Sequence, residues 1–156
     1  MTPSNAEPLD DYEELVSLLN THRVEYLIVG AYAVGYHGYI RATVDMDILV
    51  SHEPANTARL AAALKDFAGV VVDPAQIVEK TMIELGREPN SVHIITNITG
   101  VPWGTAWAKR VKGRIGDQPA PFLSKECLVK NKRAMGRKKD SLDLSGLAAK
   151  KARPKK

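Results

Sequence analysis

The chain has 156 residues, 44% of them apolar, with a net charge of +4 and one cysteine. That length and apolar share suit a single domain with a real hydrophobic core. No run of about 18 apolar residues occurs to span a membrane, Cys127 alone cannot build a disulfide framework, and the polar start MTPSNAEPLDDYEELV lacks the plan of a secretory signal, so the expected compartment is a reducing cytoplasm.

Leu15, Leu18 and Leu19 in DDYEELVSLLNTHRV repeat with helical spacing behind an acidic start. EYLIVG is short, apolar and β-branched, and ends at Gly30, which predicts a buried strand. AYAVGYHG predicts a short helix closed by Gly38, with His37 as a satisfied histidine at its end, and VDMDILV the next strand. PANTARLAAALKDF opens on Pro54 and places Leu60, Ala61, Leu64 and Phe67 at helical spacing. PAQIVEKTMIELG reads as a further helix, and the alternating SVHIITNI as a strand. GVPWGTAWAKR reads as a turn and a short helix, and VKGRI and APFL as two short strands. Ser124 is placed to cap a helix running to Met135, with Gly136 as its stop and Cys127 as a small core residue. DSLDLSGLAAK predicts a last helix.

Strands alternating with helices and a helical C-terminal part predict an α/β (α+β) domain: a short mixed sheet flanked by helices with a helical C-terminal extension. No repeat or linker divides it, so residues 1–148 are expected to form one domain and 149–156 a basic, disordered tail. Lys and Arg crowd the chain from Lys125 onward, which suits an anionic partner such as a nucleotide, a nucleic acid or an acidic protein.

Asp45 and Asp47 are the feature that composition does not explain. Strand side chains alternate, so both lie on one face while Met46, Ile48 and Val50 point into the core. Two carboxylates within about 7 Å repel each other. One reading is an edge strand with solvated aspartates; the other is a divalent cation such as Mg²⁺, held by carboxylates and substrate phosphates. Gly30 upstream lets backbone approach a ligand closely, and the helix after it would present N–H groups to an anion.

VGAYAVGYHGYIRATVDMDILV resembles the signature of the nucleotidyltransferase superfamily that includes DNA polymerase β. It is most similar to the minimal branch that contains abortive-infection and toxin–antitoxin nucleotidyltransferases. The similarity lies in Gly30-Ala31, His37-Gly38, Arg41, Thr43, Asp45 and Asp47, and downstream in Lys132, Gly136, Arg137, Lys139, Asp140 and Asp143. The resemblance implies the nucleotidyltransferase fold and transfer of a nucleoside monophosphate from an NTP, ATP by preference, to an acceptor hydroxyl. It implies metal binding by Asp45 and Asp47, with Mg²⁺ as cofactor. Gly30, Ala31, Arg41, Thr43, Lys132 and Lys139 become nucleotide-binding candidates, Lys132 the first choice for a phosphate contact. The acceptor, whether protein, RNA or small molecule, is left open, as is a partner protein or homodimer.

Two departures matter. Ala31 stands where the family has Gly or Ser. The strand that carries the family's third carboxylate reads Val92-His93-Ile94 here, so His93 would face the aspartates without a fixed negative charge. A neutral imidazole can still ligate metal or accept a proton, which makes His93 the third catalytic candidate. The alternative is a chain that has lost catalysis and acts as a nucleotide- or partner-binding, antitoxin-like module.

Overall fold

The computed structural model describes residues 8–38, 45–86 and 91–149. Within them the helices are α1 (Pro8–Thr21), α2 (Gly30–Tyr36), α3 (Pro54–Asp66), α4 (Trp103–Ala108), α5 (Lys125–Met135) and α6 (Lys138–Ala149). The strands are β1 (Tyr26–Val29), β2 (Met46–Val50), β3 (Met82–Leu85), β4 (Val92–Ile95), β5 (Val111–Ile115) and β6 (Gln118–Phe122). They form one six-stranded sheet in the order β3-β4-β2-β1-β6-β5. The β2–β4 and β1–β6 pairs are parallel and the other three antiparallel, so the sheet is mixed, as expected.

The core follows from period. Tyr12, Leu15, Val16 and Leu19 line one stripe of α1, and Leu60, Ala63 and Leu64 one stripe of α3; all are buried. β1 is buried throughout, as expected of a central strand with both faces covered. Asn56 of α3 fixes one end of the β1–β2 pair. Its Nδ2 donates to the carbonyls of Glu25 (3.0 Å) and Ser51 (2.8 Å), and its Oδ1 accepts from Glu25 N at 2.7 Å. The C-terminal helices start and stop where capping chemistry dictates. Ser124 Oγ accepts from Cys127 N, and Gly136 ends α5 in the left-handed conformation. Cys127 is fully buried, and His37 Nε2 lies 2.8 Å from the Leu123 carbonyl.

One element differs from expectation. PAQIVEKTMIELG is not a helix but a single 3-10 turn (Pro74–Gln76) followed by β3. Asp73 closes the turn by accepting from Ala75 N, and Lys80 takes a positive φ of 63° just before the strand. The apolar signal was period two: Ile83 and Leu85 share a side, and the strand pairs along β4, whose register joins Leu85 to Val92 and Met82 to Ile95. Pairing to an open sheet edge satisfies more backbone there than a short solvent-exposed helix would. The basic tail at 150–156 lies outside the described residues.

Candidate active site

The site is built at the junction of β1 and β2. Val29 pairs with Asp47, and Gly30 follows it with a φ of +67°. A Cβ at position 30 would overlap Asp47 Oδ2, so the carboxylate rests directly against glycine backbone. Met46 and Ile48 are fully buried on the far face, while Asp45 and Asp47 keep partial exposure. Alternation thus sets two carboxylates on one side of a strand whose other side is core.

The next two strands complete the cluster. Asp47 is in register with His93 on β4, and His93 with Glu84 on β3. His93 Nδ1 lies 3.0 Å from Asp47 Oδ1, and His93 Nε2 lies 3.4 Å from Glu84 Oε2. Ser91, fully buried, donates to Asp45 Oδ1 through both Oγ (2.7 Å) and its backbone N–H (3.2 Å). Tyr12 of α1 supports it from below, its hydroxyl donating to the Ser91 carbonyl at 3.2 Å. Each aspartate is therefore held by a named partner, and His93 faces the pair.

Charge shapes the protonation of these groups. Burial alone would lower the His93 pKa, but the hydrogen bond and charge of Asp47, then Glu84 and Asp45, outweigh it and raise the pKa above the ordinary imidazole value. The Tyr12 phenol is pushed up to about 12, first by burial and then by Tyr32 and the nearby carboxylates.

The α5–α6 junction forms a second charged cluster. Lys132 Nζ sits 3.4 Å from Asp140 and 3.3 Å from Asp143, and Lys132 is only 4% exposed while both aspartates are fully buried. Arg137 donates Nε and Nη2 to Asp140 at 2.7 and 3.2 Å, and its backbone N–H adds a third bond. The hydrogen bond to Asp140 first, and then the charges of Asp140, Asp143 and Asp47, raise the guanidinium pKa against burial. The Lys132 ammonium, expected to contact phosphate, is turned inward here and lies beside two carboxylates, so it ties α5 to α6. Arg133, Arg137, Lys138 and Lys139 are the exposed cations around the junction among the described residues. Asp140 and Asp143 belong to this internal network.

Of the other candidates, Gly30 and Ala31 begin α2, beside Asp47. Arg41 and Thr43 lie outside the described residues. Glu84 and Ser91 were not singled out from the sequence. Ser91 opens the strand segment SVHIITNI and Glu84 alternates with Ile83 and Leu85, so correct placement of β3 would have exposed Glu84 as a neighbour of His93.

Among the described residues no three His, Cys, Asp or Glu side chains are arranged to hold a metal ion. Asp45 and Asp47 fit a cation of the Mg²⁺ type in a narrower sense, as two hard oxygen donors to be completed by water and phosphate oxygens. Also among the described residues, no helix is long and apolar enough to cross a membrane.

No protein-family profile matches the chain, and no curated protein sequence does. Solved structures do. The antibiotic-resistance factor ANT(2'')-Ia superposes with a TM-score of 0.61 at 14% identity, covering 90% of this chain and 82% of its own. The lincosamide antibiotic adenylyltransferase LnuA, solved with lincomycin bound, gives 0.55 at 14% identity, covering 90% and 96%. An antigenic nucleotidyltransferase-like protein from Paracoccidioides brasiliensis gives 0.53 at 13% identity, covering 92% and 75%. Likeness of this kind reports architecture, and together with the mixed six-stranded sheet it shows that this chain has the nucleotidyltransferase fold.

Proposed function

We propose that the chain transfers a nucleoside monophosphate from an NTP, ATP by preference, to an acceptor hydroxyl, as a minimal nucleotidyltransferase. The observation that carries this reading is the pair Asp45, just before β2, and Asp47, within it, on one face, with Asp47 against the Gly30 backbone, in a chain of this fold. Asp45 and Asp47 would hold Mg²⁺, which when bound supplies charge neutralisation at phosphate oxygens. Gly30, which has no side chain, and Ala31, which has only a methyl group, give the triphosphate a close approach at the start of α2. Arg137 and Lys139 are the proposed phosphate contacts in place of inward-facing Lys132, with Arg41 and Thr43 ordering the segment before β2. The acceptor oxygen attacks the α-phosphorus, the bond to the β-phosphate breaks and pyrophosphate leaves. His93 in its neutral form is the group proposed to take the acceptor's proton, and the imidazolium so formed is the state in which both nitrogens donate, Nδ1 to Asp47 and Nε2 to Glu84.

The histidine also favours a second reading. Without a third carboxylate on β4 the chain binds nucleotide or a partner without turnover, in the manner of an antitoxin. Transfer of label from an α-labelled NTP onto any component of a cell extract, with Mg²⁺, separates the two. Under the first reading His93→Ala lowers that transfer by about 10²–10⁴-fold. Under the second, wild type transfers nothing and His93→Asp tightens Mg²⁺ binding by adding a carboxylate. Equal metal affinity and equal activity in all three proteins would remove His93 from the site.

A further inference from the structure

Three strands place one side chain each in a row across the sheet: Asp47 on β2, His93 on β4 and Glu84 on β3. Both ring nitrogens of His93 face a carboxylate oxygen, Nδ1 toward Asp47 at 3.0 Å and Nε2 toward Glu84 at 3.4 Å. Ser91 Oγ also lies 3.5 Å from Nε2, but its proton is already given to Asp45 Oδ1 at 2.7 Å, so it offers the ring only a lone pair. We infer that Glu84 is a positioning residue for the site: by engaging His93 Nε2 it fixes the ring so that Nδ1 stays on Asp47.

Three observations carry this. First, the register is continuous. Glu84, His93 and Asp47 are direct cross-strand partners, and directly opposed side chains on one face are the pairs that interact in a sheet. Second, β3 is an edge strand, and the glutamate side chain is 49% exposed. A carboxylate there has water available on its outer side, yet it leans inward onto the histidine. Third, an imidazole held at one nitrogen only can rotate about its χ2 bond; held at both, it has one orientation. Groups that orient a site residue through a hydrogen bond act on function without touching substrate. Glu84 therefore extends the site to the outermost strand, into the segment whose sequence read as helix. The inference rests on the reading of Asp47 and His93 as site residues.

The test has two arms. In metal-free protein, the His93 ring nitrogens and protons are followed by long-range ¹⁵N–¹H correlation, with His93→Ala giving the assignment. Wild type and Glu84→Gln should show one ordered ring with Nε2 hydrogen-bonded, because the amide oxygen still accepts. Glu84→Ala should shift Nε2 and broaden the ring signals. Glu84→Thr, which keeps a strand-forming residue at the edge, repeats the loss should alanine loosen β3. Unchanged ring signals in both would overturn the inference, whatever the protein's activity.

In the second arm, Mn²⁺·ATP affinity is measured calorimetrically for wild type, Glu84→Ala, Glu84→Gln, His93→Ala and the Glu84→Ala/His93→Ala double variant. His93→Ala should weaken binding by about 10-fold or more, as for a partner of a metal ligand; Glu84→Ala, acting through His93, should weaken it by less, and Glu84→Gln should recover most of that loss. The double variant should be no weaker than His93→Ala alone, since Glu84 acts through the ring. Additive losses would assign Glu84 a role independent of His93 and overturn the inference. If Asp45→Asn and Asp47→Asn leave Mn²⁺·ATP affinity untouched, the nucleotide-transfer reading itself fails, and the spectroscopic arm still decides the Glu84–His93 contact.

Discussion

The charged cluster at the α5–α6 junction and the one across the sheet are built on opposite plans. At the α5–α6 junction, Lys132 and Arg137 face Asp140 and Asp143: two cations, two anions, and carboxylates sealed from solvent. Along β2, β4 and β3, three carboxylates surround one imidazole, so the cluster stays anionic even with the ring protonated, and water still reaches it. The first cluster satisfies itself and serves folding. The second gathers three carboxylates around one imidazole at a partly exposed sheet face, and Arg137, which feels Asp47, spends its hydrogen bonds on Asp140. Under the proposed function, this is the face that would meet a metal-bound nucleotide.

The sharpest break in that contrast is Lys132→Met. It leaves buried aspartates without their ammonium, and removing one partner of a buried pair costs about 3–5 kcal/mol. Urea unfolding should show a loss of that order; a loss below about 1 kcal/mol would mean that the ammonium is solvated and free to serve phosphate after all.

Acid should act on the same cluster. Burial would raise the Asp140 pKa, but the hydrogen bonds from Arg137 and the charges of Lys132 and Arg137 bring it down from 3.8 to about 2. A depressed folded-state value stabilises above the unfolded value and is lost as pH falls toward the folded one. The contribution, about 2 kcal/mol, is thus complete above the unfolded value of 3.8 and disappears as the pH drops to about 2. Unfolding midpoints of wild type and Asp140→Asn should converge across that window.

Smaller effects belong to the sheet cluster. Ser91→Ala removes the hydroxyl that Ser91 donates to Asp45 and should cost about 1 kcal/mol, with weaker Mg²⁺·NTP binding by titration calorimetry. Asp45→Asn and Asp47→Asn keep the acceptor oxygens that Ser91 and His93 use. In metal-free buffer they should leave stability equal or slightly higher, while Mg²⁺-dependent nucleotide binding is lost. A stability loss of about 2 kcal/mol or more would move the aspartates into the structural class with Asp140. Truncation after Ala148 should change neither stability nor nucleotide binding.

How much of this was legible beforehand depends on whether the signal was local. The Asp45–Asp47 face, the Ser124 cap and the Gly136 stop each rest on residues within a few positions of one another, and alternation or capping chemistry reads them directly. The fold class followed from the order of such elements. Lys132 could not be read the same way: whether a lysine points out to phosphate or inward to Asp140 and Asp143 depends on how α6 folds back on α5. Glu84 was hidden twice, by the apolar run that mimicked a helix and by a partner nine residues ahead in sequence whose contact exists only once β3 and β4 pair. The roles of Asp45, Asp47 and His93 rest on motif resemblance and on the geometry described, and the variants above decide them.

Gly30 carries a consequence that can be put in genetic terms. Its φ of +67° and the overlap of any Cβ with Asp47 Oδ2 are separate obstacles, one of backbone and one of space. Every missense change in a glycine codon introduces a Cβ, so position 30 has no conservative neighbour in mutation space. A randomised library selected for nucleotide binding should therefore return glycine alone at this codon, while Gly35, around which a Cβ would meet nothing within 4 Å, should return many residues.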